Sequence, residues 1–344
     1  MPASAAKQLI DREDAAKRLL AHYDEHARAL PWRSPPGKPA PDPYVVWLSE
    51  VMLQQTTVAT VKPRFRRFLS RWPSVDDLAA ADDEEVLGEW AGLGYYARAR
   101  NLIACAKEVA ARGAFPQTEA ELRALPGLGE YTAAAIAAIA FGEQATVIDT
   151  NVARVTARYH GIEGSIEGSR REIRKLAGTM TPADRPGDYA QAIMDLGATI
   201  CRPRKPDCDA CPLAQDCTAR ATGTPEAFPA RKAKRVRPHR HGVAWWIERD
   251  HCLWLVRRPG KGMLGGMAAL PGPVWTSDPP VCASVVTVTH GFTHFTIDLH
   301  VEIKSEAEGE GWWQPLDQMG DAGLPTLYVK AVEAMLVARC DVAA

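Results

Sequence analysis

Leu125-Pro-Gly-Leu-Gly-Glu-Tyr-Thr-Ala-Ala-Ala-Ile-Ala-Ala-Ile-Ala-Phe141 decides how the larger part of this chain is read. Pro126, Gly127 and Gly129 close one helical pattern, and the apolar run Thr132–Phe141 opens the next. The glycines permit backbone conformations closed to other residues. The second helix begins near Tyr131. Its first N–H groups and the positive end of its dipole suit an anion such as a phosphate. The same residues also read as a plain turn between helices.

Outward from this turn the pattern stays helical from about residue 9 to residue 220. Asp14–Tyr23, Val45–Thr57, Asp83–Trp90 and Ala97–Ala111 have helical length and punctuation, with breaks at Pro41–Pro43, Gly92–Gly94 and Pro182–Gly187. Residues 221–241 are rich in Pro, Thr, Gly and basic side chains and read as a linker. Strand-like runs follow at Val243–Glu248, Cys252–Arg257, Val285–Thr289 and Thr296–Ile303, before a last helix at about Leu327–Arg339. The expected organisation is an all-α region over 1–220, a basic linker over 221–241, and an α+β domain over 242–344.

The 344 residues exceed one ordinary core, and 46% apolar composition excludes a disordered chain. No apolar run approaches the roughly 20 residues that span a bilayer. Met1–Lys7 lacks a secretion pattern, so the expected compartment is the cytoplasm. The net charge of −1 tells mildly against a nucleic-acid partner. Its distribution tells the other way: Arg231, Lys232, Lys234, Arg235, Arg237 and Arg240 are interrupted by no acid. This run reads either as a phosphate-binding patch or as a solvated linker.

Four of the eight cysteines crowd together as C-x6-C-x2-C-x5-C, namely Cys201, Cys208, Cys211 and Cys217. In a reducing compartment such a cluster favours a metal site over disulfides. Four thiolates in one loop suit a [4Fe–4S] cluster. A four-cysteine zinc site is the alternative, although it usually shows two C-x2-C pairs and only one is present. A structural clip ordering Arg202, Arg204 and Lys205 needs no redox chemistry.

Two carboxylates sit in contrasting surroundings. Glu50 lies in Tyr44-Val-Val-Trp-Leu-Ser-Glu-Val-Met-Leu-Gln-Gln-Thr-Thr57, a helix apolar nearly all round and therefore buried, with Gln54 on the same face. Burial favours a protonated carboxyl, able to act as general acid; pairing with a distant Arg is the alternative. Asp149, in Val147-Ile-Asp-Thr-Asn-Val-Ala-Arg154, stands at a helix start. It reads as an N-cap, or as an anion kept charged by the helix dipole. A neutral acid and a persistent anion are what glycosidic cleavage requires.

Taken together, these residues resemble the MutY-type adenine DNA glycosylases of the helix-hairpin-helix superfamily. The resemblance covers about residues 10 to 300. It is carried by Trp47-Leu-Ser-Glu-Val-Met-Leu-Gln-Gln-Thr56, Gly92-Leu-Gly-Tyr-Tyr-Ala-Arg-Ala-Arg-Asn101, Leu125-Pro-Gly-Leu-Gly129, Ile148-Asp-Thr-Asn151 and the cysteine spacing. It implies an all-α helix-hairpin-helix region with a [4Fe–4S] loop, followed by a Nudix-like α+β domain. It makes Glu50 the acid that protonates adenine, Asp149 the carboxylate that stabilises the sugar cation, Asn151 its orienting neighbour and Tyr131 a contact to the sugar. Gln55 and Tyr95 would intrude into the duplex, with Leu93 and Thr56 lining the lesion side. Leu125, Gly127 and Gly129 would grip the backbone. Tyr131 stands where related bifunctional enzymes carry a nucleophilic Lys, so base excision without strand cleavage is expected. Phe292-Thr-His294 resembles the family's Phe-Ser-His loop that reads 8-oxoguanine, and the hydroxyl survives the exchange. Met267-Ala-Ala-Leu-Pro-Gly272 departs from the aromatic-rich version usual there. Residues 260–275 contain no acid, so Nudix nucleotide hydrolysis is not expected. The implied partners are duplex DNA holding A:8-oxoG or A:G mispairs and a sliding clamp or other repair proteins, for a monomeric, nucleoid-associated enzyme. A thymine mismatch glycosylase and a non-catalytic DNA-binding or redox-sensing iron–sulfur protein remain as alternatives.

Overall fold

A computed structural model describes residues 3–230, 237–259, 263–292 and 294–343. The chain divides into two compact units. One comprises Met1–Asp82 with Ala97–Ala233, the other Asp83–Tyr96 with Lys234–Ala344.

The first unit is helical. Its order is α1 (Ala3–His26), α2 (Pro43–Leu53), α3 (Val58–Arg71) and α4 (Val75–Ala80), then α6 (Tyr96–Arg112), α7 (Glu119–Leu122), α8 (Glu130–Phe141), α9 (Thr150–His160), α10 (Arg170–Met180), α11 (Pro186–Thr199) and α12 (Thr218–Ala221); the intervening α5 (Asp83–Glu89) falls in the second unit. α2 and α8 are apolar on every side and form the centre of this unit, packed on each other, with α8 also against α11. The alanines of α8 make the close approach possible. Ala133, Ala134, Ala135 and Ala137 are fully buried, and a Cβ on Gly187 of α11 would stand 2.6 Å from the Ala138 carbonyl. Larger buried side chains, Trp47, Met52 and Phe65 among them, each contribute about 1.5–3 kcal/mol of burial.

Two sequence-based boundaries are corrected. The helix expected over Val45–Thr57 stops at Leu53, because Gln55 takes a left-handed φ of 57°. Pro186 and Gly187, expected within a break, open α11 instead, where a proline at the first helical position loses no needed N–H.

The second unit holds a mixed sheet in the order β3-β2-β1-β5-β4, with β6 also paired to β2. The strands are β1 (His239–Arg249), β2 (Cys252–Arg257), β3 (Ala268–Ala269), β4 (Val286–Gly291), β5 (Thr296–Lys304) and β6 (Trp312–Pro315), and α13 (Thr326–Ala343) packs on β4 and β5. β1 and β5 are parallel and the remaining pairs antiparallel. Alternation sorts the faces: Ala244, Trp246, Ile297, Leu299 and Val301 join the core with Leu327, Tyr328 and Met335 of α13. β3 and β6 escape the sequence reading, since one is two residues long and the other, Trp-Trp-Gln-Pro, shows no alternation. Residues 263–275 contain no helix where a Nudix catalytic helix would lie. Among the described residues no helix is long and apolar enough to cross a membrane.

Candidate active site

Glu50 is delivered by α2. Asp42 caps that helix by accepting from Tyr44 N at 2.8 Å, and Pro43 presets its first turn. With Trp47, Leu48 and Met52 fully buried along it, Glu50 is carried inside too and is 6% exposed. Tyr131, in the first turn of α8, donates its hydroxyl to Glu50 Oε2 at 2.6 Å and approaches Met194 Sδ at 3.3 Å. Burial pushes the Glu50 carboxyl above its ordinary range; the Tyr131 hydrogen bond and the Arg33 charge offset this in part, and the Asp149 charge reinforces it. The phenol of Tyr131 is itself pushed far up by burial and by Glu50, so it stays a neutral donor. Arg33 does not pair with Glu50. It is committed to Asp195, with contacts of 2.6 and 3.0 Å.

Asp149 caps α9. Its Oδ1 accepts from Val152 N at 2.6 Å, and its Oδ2 accepts from Asn151 Nδ2 at 2.8 Å. The structure makes this residue an N-cap whose second carboxylate oxygen is held by a neighbouring amide. Asn151 is held in turn: Arg154 Nη2 donates to its Oδ1 at 3.0 Å and to the Gly197 carbonyl at 2.7 Å. Gly197 lies where α11 crosses α9, and a Cβ there would stand 2.6 Å from that of Asn151. The structure thus brings Glu50, Tyr131, Asp149 and Asn151 into one electrostatically coupled group.

Arg154 Nε also donates to the Cys201 carbonyl at 2.9 Å, which links this group to the cysteine loop. Cys201 follows α11, Cys217 caps α12, and Cys201, Cys211 and Cys217 pack against the core shared by α1, α9 and α11. The four thiols are free of disulfides. Arg158 donates to Cys201 Sγ at 3.4 Å and to the Arg202 carbonyl at 2.7 Å, a cation placed beside the sulfurs.

The end of α2 carries two more expected residues. Gln55 is exposed in its left-handed turn, and Thr56 bonds back to the Gln54 carbonyl at 3.2 Å. Gln54, expected to share the Glu50 face, ends the helix and donates to Thr132 Oγ1 at 3.1 Å. Arg98 holds this turn, donating to the carbonyls of Val51, Met52 and Gln54 and to Thr56 Oγ1. In the hairpin, Leu125 and Leu128 are buried anchors. Gly127 has φ of 75°, and a Cβ on it would come within 2.6 Å of that of Asn101, so conformation and space both demand glycine. Gly129 begins α8 with no side-chain cap, which leaves its first N–H groups to an outside acceptor.

The remaining expected residues belong to the second unit. Leu93 is buried between Gly92 and Gly94, and Tyr95 is 49% exposed with φ of 50°. Phe292 closes the β4–β5 hairpin within an aromatic group: it stacks on Trp275 at 5.8 Å and meets Phe295 at 4.9 Å. His294 is exposed, and Thr293 lies outside the described residues, as do Arg231, Lys232, Lys234 and Arg235 of the basic run. Sequence reasoning missed Arg33, Arg98, Arg154, Arg158 and Asp195. Apart from the Arg154 contacts to Asn151 and Thr150, the partners of their side chains lie 42 to 167 residues away along the chain, and no local pattern marks them.

Comparison with known proteins places the chain in a family. Residues 48–180 match the family described as HhH-GPD superfamily base excision DNA repair protein, and residues 242–334 match the NUDIX domain. The adenine DNA glycosylase of Homo sapiens is 37% identical over 315 residues, covering 75% of this chain and 57% of that protein. That of Buchnera aphidicola subsp. Schizaphis graminum is 30% identical over 340 residues, covering 92% of this chain and 96% of that protein. A solved thermostable thymine-DNA glycosylase superposes with a TM-score of 0.55 at 30% identity, over 62% of this chain and 97% of its own. The chain spans about half the length of the eukaryotic relatives it matches. The chain belongs to the adenine DNA glycosylase family of helix-hairpin-helix base excision DNA repair proteins.

Proposed function

We propose that this protein is a monofunctional glycosylase that hydrolyses the N-glycosidic bond of adenine mispaired with 8-oxoguanine or guanine in duplex DNA. One observation carries the reading: a buried carboxyl with a raised proton affinity, Glu50, stands in the electrostatic reach of a capped, amide-held carboxylate, Asp149. Glu50 gives its proton to adenine, as the resemblance implies at N7. The C–N bond breaks and its electron pair leaves with the base. Asp149 stabilises the resulting sugar cation, with Asn151 fixing the carboxylate. Water adds to the cation, and its proton returns to the Glu50 carboxylate. Free adenine and an abasic site remain. Tyr131 offers no amine, so no Schiff base forms and the strand stays intact.

DNA is held without sequence choice by the N–H groups at Leu125–Gly129 and by the basic run from Arg231 to Arg240. Gln55 and Tyr95 enter the duplex, Thr56 and Leu93 line the lesion side, and Phe292, Thr293 and His294 read the oxidised guanine. Cys201, Cys208, Cys211 and Cys217 would hold a [4Fe–4S] cluster, which supplies a structural clip when bound. The donor set fits that group. The four thiols are free of disulfides, three of them pack on the core of α1, α9 and α11, and Arg158 donates to Cys201 Sγ, a cation suited to balance thiolate charge.

Single-turnover excision from A:8-oxoG, A:G and T:G duplexes tests the reading. Fastest release from A:8-oxoG is expected, and release of thymine alone would sink it. Borohydride should trap no covalent protein–DNA band.

A further inference from the structure

β1 and β5 run parallel with His239 opposite Thr296, His241 opposite Asp298 and Val243 opposite His300; β4 places Thr289 opposite Asp298 and Thr287 opposite His300. Side chains alternate along each strand, so these residues share the sheet face that α13 does not cover, while Ile297, Leu299 and Val301 take the core face. This face therefore collects three imidazoles and a carboxylate. One ligand atom each from His239, His241 and Asp298 lies within 4.8 Å of the others.

Their surroundings already orient the donors. His239 Nε2 stands 2.9 Å from Asp298 Oδ2, while its Nδ1 is 2.8 Å from Thr296 Oγ1. Thr289 donates to Asp298 Oδ1 at 2.7 Å, leaving Oδ2 toward the histidine. His300 Nε2 is 3.5 Å from His241 Nδ1, and His300 Nδ1 is 3.0 Å from Thr287 Oγ1. An oxygen on the outer nitrogen of a ligating His, and a hydroxyl on the outer oxygen of a ligating carboxylate, form the support that metal ligands require. We propose that His239, His241 and Asp298 bind one divalent zinc-class cation on the open face of this sheet. Two imidazoles and a carboxylate select borderline transition ions over calcium or magnesium. Bonds of about 2.0–2.2 Å put tetrahedral donors about 3.4 Å apart, so the site closes by a slight widening of the 2.9 Å His239–Asp298 pair and an approach of His241. His300 or water completes the tetrahedron. The ion pins the start of β1 to β5 beside the Gly291–Thr296 pair that ends the β4–β5 ladder. This site shares no residue with the cysteine loop or with the Glu50 group.

The test uses the full-length protein with its iron in place, dialysed against micromolar zinc chloride. Metal content and zinc competition with a chromogenic chelator are measured for wild type, His241→Gln, Asp298→Asn and Thr289→Val. The wild type should keep one more zinc per chain than His241→Gln or Asp298→Asn, at unchanged iron. Thr289→Val should weaken zinc about tenfold. Equal zinc retention by all four proteins would overturn the proposal, and so would loss of iron in step with zinc. A second measurement needs no variant: zinc-edge X-ray absorption of the wild type should show nitrogen and oxygen neighbours with imidazole scattering. A sulfur-only shell would place the ion at the cysteines and end the idea.

Discussion

Glu50 and Asp298 carry the same functional group into opposite surroundings. Glu50 is 6% exposed among apolar helices, and burial raises its proton affinity despite a strong hydrogen bond from Tyr131. The Asp298 side chain is 26% exposed on a sheet face, and the Thr289 hydroxyl and His239 lower its proton affinity despite some burial. Both accept a short hydrogen bond from a hydroxyl. The difference lies in what surrounds the rest of each group: solvent and imidazoles around Asp298, close-packed hydrocarbon around Glu50. Desolvation and hydrogen bonds to the charged form oppose each other at both carboxyls; desolvation prevails at Glu50 and hydrogen bonding at Asp298.

The largest break in this contrast is Glu50→Gln. The shape and the Tyr131 contact survive while the transferable proton is lost, so single-turnover excision should fall about 10²- to 10⁴-fold with duplex binding retained. Near wild-type excision would remove Glu50 from its role. The same variant sharpens the comparison in stability. A carboxyl raised above its ordinary 4.5 contributes stability fully present below that value and lost as pH rises through its folded-state value. The stability advantage of Glu50→Gln over wild type should therefore grow with pH, as denaturant melts across pH 4 to 9 would show. Asp298 has the reverse sign: its contribution is present above 3.8 and lost as pH falls through its lowered folded-state value.

Next comes Arg154→Met. It strips donors from Asn151, the Gly197 carbonyl and the Cys201 carbonyl together. Leaving buried acceptors unsatisfied should cost about 3 kcal/mol in urea unfolding and slow excision through Asp149. Tyr131→Phe should act more gently. The lost hydrogen bond had lowered the Glu50 proton affinity, so its removal raises it further, and the alkaline limb of the excision profile should move to higher pH. Smallest is Asp298→Asn in metal-free protein. At this exposure its ion pair with His239 should be worth less than about 1 kcal/mol by thermal unfolding. A larger loss would mean that the open face is less open than the contrast assumes.

The sequence made the ends of this comparison unequally legible. Glu50 was readable because ten apolar or near-apolar neighbours in one helix leave it no solvent face, and Asp149 because a cap announces itself within three residues. Gly127 was readable from turn chemistry, although its clash with Asn101 was not. Arg33, Arg98 and Arg154 were silent, since each is defined by carbonyls or carboxylates brought in by tertiary packing. The histidine group was silent for a related reason. His239-Arg-His241 is only a short alternation until a parallel pairing with a strand some 57 residues later supplies Asp298. Even the strand start at His239 was hidden, because basic and proline residues before it read as linker.

Gly197 carries a consequence beyond its own turn of helix. The clearance between α9 and α11 is one hydrogen atom wide at Asn151. The spacing of the chemistry is thus gauged by a missing methyl group: any thicker shim at that crossing forces α9 aside and carries Asp149 with it. Since displacements near an ångström can cost about a hundredfold in rate, the tolerance of this enzyme is machined into a position that never meets its substrate.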